Sequence, residues 1–207
     1  MSPENNHLTG WPLFRRIREV ESALQLNVIR LIAIVTFFTI HLVNYLTMDN
    51  PSSYYQEFHR SSIWLTSAWL LMTFAVFIAY FAQRLPWYAK YCSTLADIAL
   101  LTAVAAIGDK ANASVVVIYF VIITTSLLRF SNTLILVTSV GCVAGFLMLV
   151  GLVDQHWFDA QHDVPLARTL IVSAALLLNG LVCWRISKSV QQWIENKGPV
   201  ISDIPES

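Results

Sequence analysis

Long apolar runs separated by short polar stretches dominate the pattern along this chain. Four runs contain no Lys, Arg, Asp or Glu, namely 31–48, 61–83, 111–128 and 131–153. Because a helix needs about 20 apolar residues to cross the hydrocarbon core of a bilayer, each run predicts a membrane-spanning helix. The runs are apolar on every face, whereas strands of a membrane barrel alternate apolar and polar residues. The pattern therefore predicts an all-α protein.

Two further runs complete the predicted bundle. The run at about 91–108 is long enough only if Asp97 is tolerated, and the run at 169–184 is short and needs its flanks to reach both surfaces. We therefore predict a polytopic six-helix bundle over residues 27–187, between an N-terminal segment, 1–26, and a C-terminal segment, 188–207. The predicted spans are about 27–48, 61–83, 89–108, 112–129, 131–153 and 168–186.

Composition agrees with a membrane protein. Hydrophobic residues make up 56% of the chain and charged residues 13%, with a mean hydropathy of +0.59, whereas about a quarter of the residues of a soluble domain are charged. The formal net charge is zero, which argues against nucleic acid as a partner. The lipid bilayer is the main partner that the sequence predicts.

Orientation follows from the basic residues, which favour the cytoplasmic ends of spans. With six spans both termini lie on one side, and this side carries most of the 13 Lys and Arg residues. We therefore predict that the N-terminus and the C-terminus are both cytoplasmic. The basic residues on that side are Arg15, Arg16, Arg18, Arg30, Arg84, Lys90, Arg129, Arg185, Lys188 and Lys197.

Both flanking segments contain amphipathic stretches. Apolar residues recur at helical spacing in 13–20 opposite arginines, which predicts either an interfacial helix or an ordinary basic flank with some helicity. Near the other end, Val190, Trp193 and Ile194 form a narrow apolar face. This face predicts contact with the membrane or with a partner helix.

Motifs of catalysis and cofactor binding are missing from the sequence. It contains no glycine-rich phosphate loop, no Gly-x-Ser-x-Gly and no His-Glu-x-x-His. We predict a protein that is not an enzyme, with no cofactor and no metal. Among the histidines only His41 falls at membrane depth, while His59 is expected in an outer loop. His156 and His162 suggest an outer metal site, but a solvated polar loop is the favoured interpretation.

The charge at Asp97 is the most informative feature of the spans. Lys90, Ser93, Thr94 and Asp97 share one helical face, and Asp97 lies about 9 Å from Tyr91 by helical rise. Intramembrane carboxylates usually face the bundle interior and find a partner. Arg129, whose polar face is extended by Thr125, or Arg30 could reach Asp97 by snorkelling. The set is either a ligand-sensitive polar switch or a static ion pair, which is the favoured interpretation.

Other polar and small residues within the spans have two interpretations each. His41, Asn44 and Asn179 could line a ligand cavity or pair between helices. Gly141 and Gly145 form a small-xxx-small pattern that allows close helix approach. This pattern favours packing within the bundle, and dimerisation is the alternative.

One stretch resembles a known class of membrane region. The sequence "ADIALLTAVAAIGDKANASVVVIYFVIITTSLLRFSNTLILVTSVGCVAGFLML" is similar to the membrane input region of bacterial sensor histidine kinases and class III adenylate cyclases, including kinases that sense fatty-acid diffusible signals. The resemblance covers roughly residues 27–153. The matching positions are Asp97, Gly108, Tyr119, Arg129 and Phe130, and "IRLIAIV" at 29–35 resembles the first span of these regions.

The resemblance implies a sensory module in a bacterial inner membrane. The kinases and cyclases continue into a catalytic domain, whereas this sequence ends at Ser207, so we expect a free-standing version, a piece of a larger protein or a module reused elsewhere. We therefore expect a sensor-like input module that binds a lipophilic or interfacial signal and relays it through the last span, as a homodimer or to a partner signalling protein. The alternative is a structural or assembly subunit with fixed partners in a larger membrane complex.

Overall fold

The computed structural model describes residues 10–48, 50, 52–82, 88–108, 113–129, 131–153 and 166–197. These residues form helices joined by turns, and the described ranges contain no strand. The all-α prediction is therefore confirmed. The helices are α1 (Gly10–Leu46), α2 (Ser53–Phe81), α3 (Ala89–Ile107), α4 (Ala113–Ser126), α5 (Asn132–Val153) and α6 (Leu166–Lys197), and a single 3-10 turn, Leu127–Arg129, follows α4.

Five of these helices contain segments long and apolar enough to cross a membrane. Their length and composition support a multi-pass membrane protein. The apolar segment of α4 and its 3-10 turn, Val116–Arg129, is shorter. The five long segments are Leu24–Leu46, Ser53–Ala79, Ala89–Ile107, Asn132–Leu152 and Leu166–Trp193.

The chain divides into two compact units, residues 1–109 and 110–207. In the first unit, α2 packs against both α1 and α3. The hydroxyl of Tyr54 on α2 donates to the carbonyl oxygens of Ile107 and Gly108, at 3.2 Å and 3.1 Å. These carbonyls belong to the end of α3, where helices leave acceptors without intrahelical donors. Tyr54 therefore ties the start of α2 to the end of α3.

In the second unit, α4 contacts both α5 and α6, and the most extensive contact is between α5 and α6. The two helices approach closely at Gly180 of α6. A Cβ atom at this glycine would lie only 2.0 Å from the Ser139 Oγ and 2.7 Å from the Ser139 Cβ. Small residues at helix contacts let the backbones approach in membranes. The approach of α5 and α6 therefore depends on glycine at position 180.

Helix α2 begins eight residues before the predicted start of the second span. We expected the span to begin at residue 61, because Glu57 and Arg60 interrupt the apolar pattern, but α2 begins at Ser53. Glu57 and Arg60 are exposed, so neither charge has to be buried when the helix extends. His59 consequently lies on α2 and not in an outer loop.

The flanking segments are also more helical than the span boundaries suggested. Helix α1 runs without a break from Gly10 into the first predicted span, and α6 continues to Lys197, beyond the predicted end at 186. The interfacial location of 13–20 stays a prediction. The outer metal site that the sequence suggested at His156 and His162 lies outside the described residues.

Candidate functional site

An ion pair between α1 and α3 holds the intramembrane carboxylate. Both Nε and Nη2 of Arg30 donate to Asp97 Oδ2, the former at 3.1 Å. The side chains are only 8% and 15% exposed, so both charged groups are largely buried within the protein. Each helix contributes one half of the pair, and the pair therefore fixes α1 and α3 relative to each other.

Three polar side chains complete this ion pair. Arg30 Nη1 donates to Asn27 Oδ1 and Arg30 Nη2 to Ser93 Oγ, both at 2.7 Å, while Trp69 Nε1 of α2 donates to Asp97 Oδ1 at 2.8 Å. The bonds account for four of the five guanidinium N–H groups. We call these five residues the Arg30–Asp97 network. It links all three helices of the first unit.

The network lies inside the apolar segments of its helices. Asp97 is eight residues into α3, about 12 Å from its start by helical rise, and Arg30 lies within the segment Leu24–Leu46. An unpaired charge at the centre of a membrane helix costs about 2.5–3.5 kcal/mol on insertion scales. Pairing and hydrogen bonding offset this cost, because they satisfy the charged groups within the protein.

The structure gives Asp97 one of the two basic partners that the sequence predicted. Arg30 is the partner within the first unit, whereas Arg129 is half-buried in the 3-10 turn of the second unit, and its pairing with Asp97 stays a prediction. Ser93 joins the network, but the Thr94 hydroxyl donates to the Lys90 carbonyl of its own helix at 2.9 Å. Ser93 and Asp97 are thus the residues of the predicted polar face of α3 that contact Arg30.

The sequence analysis missed Trp69 and Asn27. Asn27 lies one turn before Arg30 and is 1% exposed, so helical spacing of three residues was an available signal. Trp69 lies in the run 61–83, which contains no Lys, Arg, Asp or Glu. A buried indole N–H usually finds an acceptor, and this rule could have drawn attention to Trp69.

The Trp69 hydrogen bond leads to a measurable expectation. Trp69→Phe keeps an aromatic ring but removes the donor to Asp97, and hydrogen bonds to charged groups contribute about 1.5–3 kcal/mol. We expect the unfolding free energy in mixed detergent micelles to fall by this amount. Trp64→Phe is the matched control, because Trp64 lies on the same helix and is 71% exposed. Equal effects of the two substitutions would contradict a specific role of Trp69.

A second polar contact lies at the other end of the first unit. His41 Nε2 of α1 and His59 Nδ1 of α2 are 3.1 Å apart. The ring of Tyr45 stacks on that of His59, with 3.9 Å between centroids and an interplanar angle of 6°, and Phe58 meets His41 edge to face. The prediction that His41 pairs between helices is consistent with this contact, which we call the histidine pair. Asn44, on the last turn of α1, is exposed.

Two other predicted polar residues, in the second unit, serve helix contacts or their own helix. Asn179 Nδ2 of α6 donates to the Phe120 carbonyl of α4 at 3.3 Å. The Thr125 hydroxyl donates to the Ile122 carbonyl at 3.0 Å within α4. Asn179 is therefore an interhelical contact, and the Thr125 hydroxyl is satisfied locally.

The two glycines of the small-xxx-small pattern lie on α5. Gly145 is buried and Gly141 is half-buried within the chain. This burial favours packing within the unit over dimerisation for Gly145. The close approach of α5 and α6 described above is instead at Gly180 and Ser139.

Comparison of the chain with protein-family models, curated proteins and solved structures found no match. The resemblance to sensor input regions therefore depends on the matching sequence positions alone. The two polar contacts in the first unit are therefore the structural features that bear on function.

Proposed function

We propose that this chain is a sensor-like input module of a bacterial inner membrane and that it has no enzymatic activity. A lipophilic or interfacial signal binds among the helices and favours one of two packings of the first unit. A ligand can shift such an equilibrium only by its difference in affinity for the two states. The last helix relays the shift to a partner signalling protein or to a second copy of the chain.

The Arg30–Asp97 network is the observation that carries this proposal. Ionisable residues within membrane spans are rare and commonly mark functional sites. Here one carboxylate joins three helices, so a change in its contacts alters the packing of the whole first unit. A signal with a hydrogen-bonding or charged group competes directly with the donors that surround Asp97.

Helix α6 supports the second part of the proposal. It runs unbroken from Leu166 to Lys197, and therefore joins a membrane-spanning segment to the polar residues after it. Trp193 on this extension is 60% exposed. A continuous helix transmits a rotation or translation over its length, which suits a relay to a partner.

The proposed topology has six spans, with α4 as the fourth, and places both termini in the cytoplasm. Reporter fusions at residues 5 and 204 should then both give a cytoplasmic signal, because most basic residues fall on that side. A fusion within the 154–165 segment serves as the control and should report the opposite side. Opposite signals from the two terminal fusions would require an odd number of spans.

The relay can be measured by hydrogen exchange. Arg30→Met together with Asp97→Leu removes both charges, and apolar pairs of this kind often preserve stability. We expect the variant to remain folded while amide exchange across residues 187–197 changes at least threefold in nanodiscs. Trp64→Phe is the control and should leave this exchange unchanged.

Two outcomes would contradict the proposal in different ways. Unchanged exchange across 187–197 in the double variant would make the network a static ion pair. Native mass spectrometry of mildly solubilised membranes tests the alternative of a structural subunit. A sensor is expected to be detected as a monomer or homodimer. Recovery with other polypeptides in a fixed ratio would instead indicate a structural or assembly subunit.

A further inference from the structure

The histidine pair has chemistry that the proposed sensor does not use. His41 Nε2 and His59 Nδ1 face each other at 3.1 Å, the usual distance of an N–H···N hydrogen bond. Such a contact requires a hydrogen on one of the two nitrogens and a lone pair on the other. The contact therefore depends on the number of protons that the two rings hold together.

Counting protons distinguishes three states of the pair. With no added proton, one ring donates its N–H to the other, and with one added proton the charged ring donates to the neutral ring in a stronger, charge-assisted bond. With two added protons, both facing nitrogens carry a hydrogen and both rings carry a positive charge. The third state has no lone pair between the rings, so the contact at 3.1 Å cannot persist.

Tyr45 favours the intermediate state. Its ring lies parallel to that of His59 with 3.9 Å between centroids, and the face of an aromatic ring attracts a cation. The face of Tyr45 therefore suits a pair that carries a single positive charge. The pair holds one charge well and opposes a second.

Few charged side chains lie in the described turns next to the pair. The titratable or charged side chains of those turns are Tyr45 on α1 and Tyr54, Tyr55, Glu57 and Arg60 on α2. Glu57 and Arg60 are both exposed and opposite in sign. The described end of α3 that Tyr54 and Phe58 contact, Ile107 and Gly108, carries no titratable side chain.

A metal ion suits this site less well than a proton. Structural zinc sites use four ligands and catalytic sites commonly three from the protein. Within the described parts of the chain, no group of three or more His, Cys, Asp or Glu residues is placed to hold a metal ion. Two facing nitrogens are sufficient for a proton.

We propose that the histidine pair is a proton-operated latch, which holds the ends of α1 and α2 together with zero or one added proton and opens with two. Opening requires the second proton, which acidification supplies. Acidification then separates the two helix ends next to the turn that joins them. This input is independent of the lipophilic signal proposed above.

The protonation states can be followed by nitrogen NMR of the full-length chain, labelled at histidine and held in nanodiscs. His41→Gln and His59→Gln assign the signals and leave one histidine of the pair in place. We expect the second proton to enter the intact pair only at a proton concentration at least tenfold higher than the lone His59 requires in His41→Gln. Equal titration midpoints in the intact pair and in the single variants would overturn the latch.

Opening is measured by the distance between spin labels at two exposed positions, Val43→Cys on α1 and Tyr55→Cys on α2. The three native cysteines, Cys92, Cys142 and Cys183, are replaced by alanine in this chain. We expect the distance to increase reversibly on acidification, and to be independent of pH when His41→Gln and His59→Gln are combined. A pH-independent distance with the pair intact, or the same change without it, would show that the histidines do not operate a latch.

Discussion

Asp97→Ala should lower the free energy of unfolding by about 3–5 kcal/mol, because it leaves the buried guanidinium of Arg30 without its counter-charge. Replacing both residues, with Arg30→Met and Asp97→Leu, should cost much less, since no unpaired charge then remains. The measurement is equilibrium unfolding of the full-length chain in mixed detergent micelles. The large loss is expected despite the modest size of the side chain, because the pair is mostly shielded.

A double-mutant cycle makes this expectation specific. Asp97→Ala and Arg30→Ala should be non-additive, since each removes the partner of the other. The same cycle with Arg129→Ala should add within about 0.5 kcal/mol, because Asp97 already has a guanidinium partner in the first unit. If the Arg30 cycle were additive and the Arg129 cycle were not, Arg129 would be the energetic partner of Asp97.

Gly180→Ala should destabilise the second unit by about 1–3 kcal/mol, because overpacking a tight contact displaces side chains or backbone. The added methyl group would lie 2.0 Å from the Ser139 Oγ and 2.7 Å from its Cβ. The Oγ can move away only by rotating out of its hydrogen bond to the Ile135 carbonyl, and the Cβ cannot move by rotation because it is bonded directly to the backbone of α5. The change is measurable as a lower unfolding free energy in micelles.

A second substitution, Ser139→Gly, should compensate for the destabilising effect of Gly180→Ala. Ser139→Gly removes both contacting atoms, so its combination with Gly180→Ala should recover most of the lost stability. Ser139→Gly alone measures the helix penalty of glycine, about 0.5–1 kcal/mol. Failure of the combination to recover stability would mean that the approach of α5 and α6 is not limited by this contact.

Runs without charged residues were sufficient to predict the helices but not all their ends. They indicated an all-α protein, because uncompensated charge is costly within a membrane span, and the described residues contain no strand. The same rule placed His59 in a loop, since it started the second span after Arg60, which is exposed on α2. A charged residue that faces outwards near the end of a helix does not terminate that helix. The apolar pattern alone cannot distinguish such a residue from one that lies in a loop.

The polar site was predictable in part. The face of α3 that carries Ser93 and Asp97 followed from helical spacing, and so did the need for a basic partner. The contact of Asp97 with Arg30 depends on which helices of the first unit are neighbours, and the pattern of a single helix contains no such information. Trp69 was missed because its ring matches the apolar run around it, whereas its N–H becomes decisive only when a carboxylate is adjacent.

The lengths of α2 and α4 place different demands on the thickness of the lipid layer. The 29 residues of α2 rise about 43 Å, and α4 with its 3-10 turn rises about 27 Å, against a hydrocarbon core of about 30 Å. A helix that is too long tilts or projects, whereas one that is too short draws the bilayer thinner around it. If α4 crosses as the fourth span, lipids with shorter acyl chains relieve its mismatch. The fatty-acid composition of the host membrane then acts on the second unit without any bound ligand.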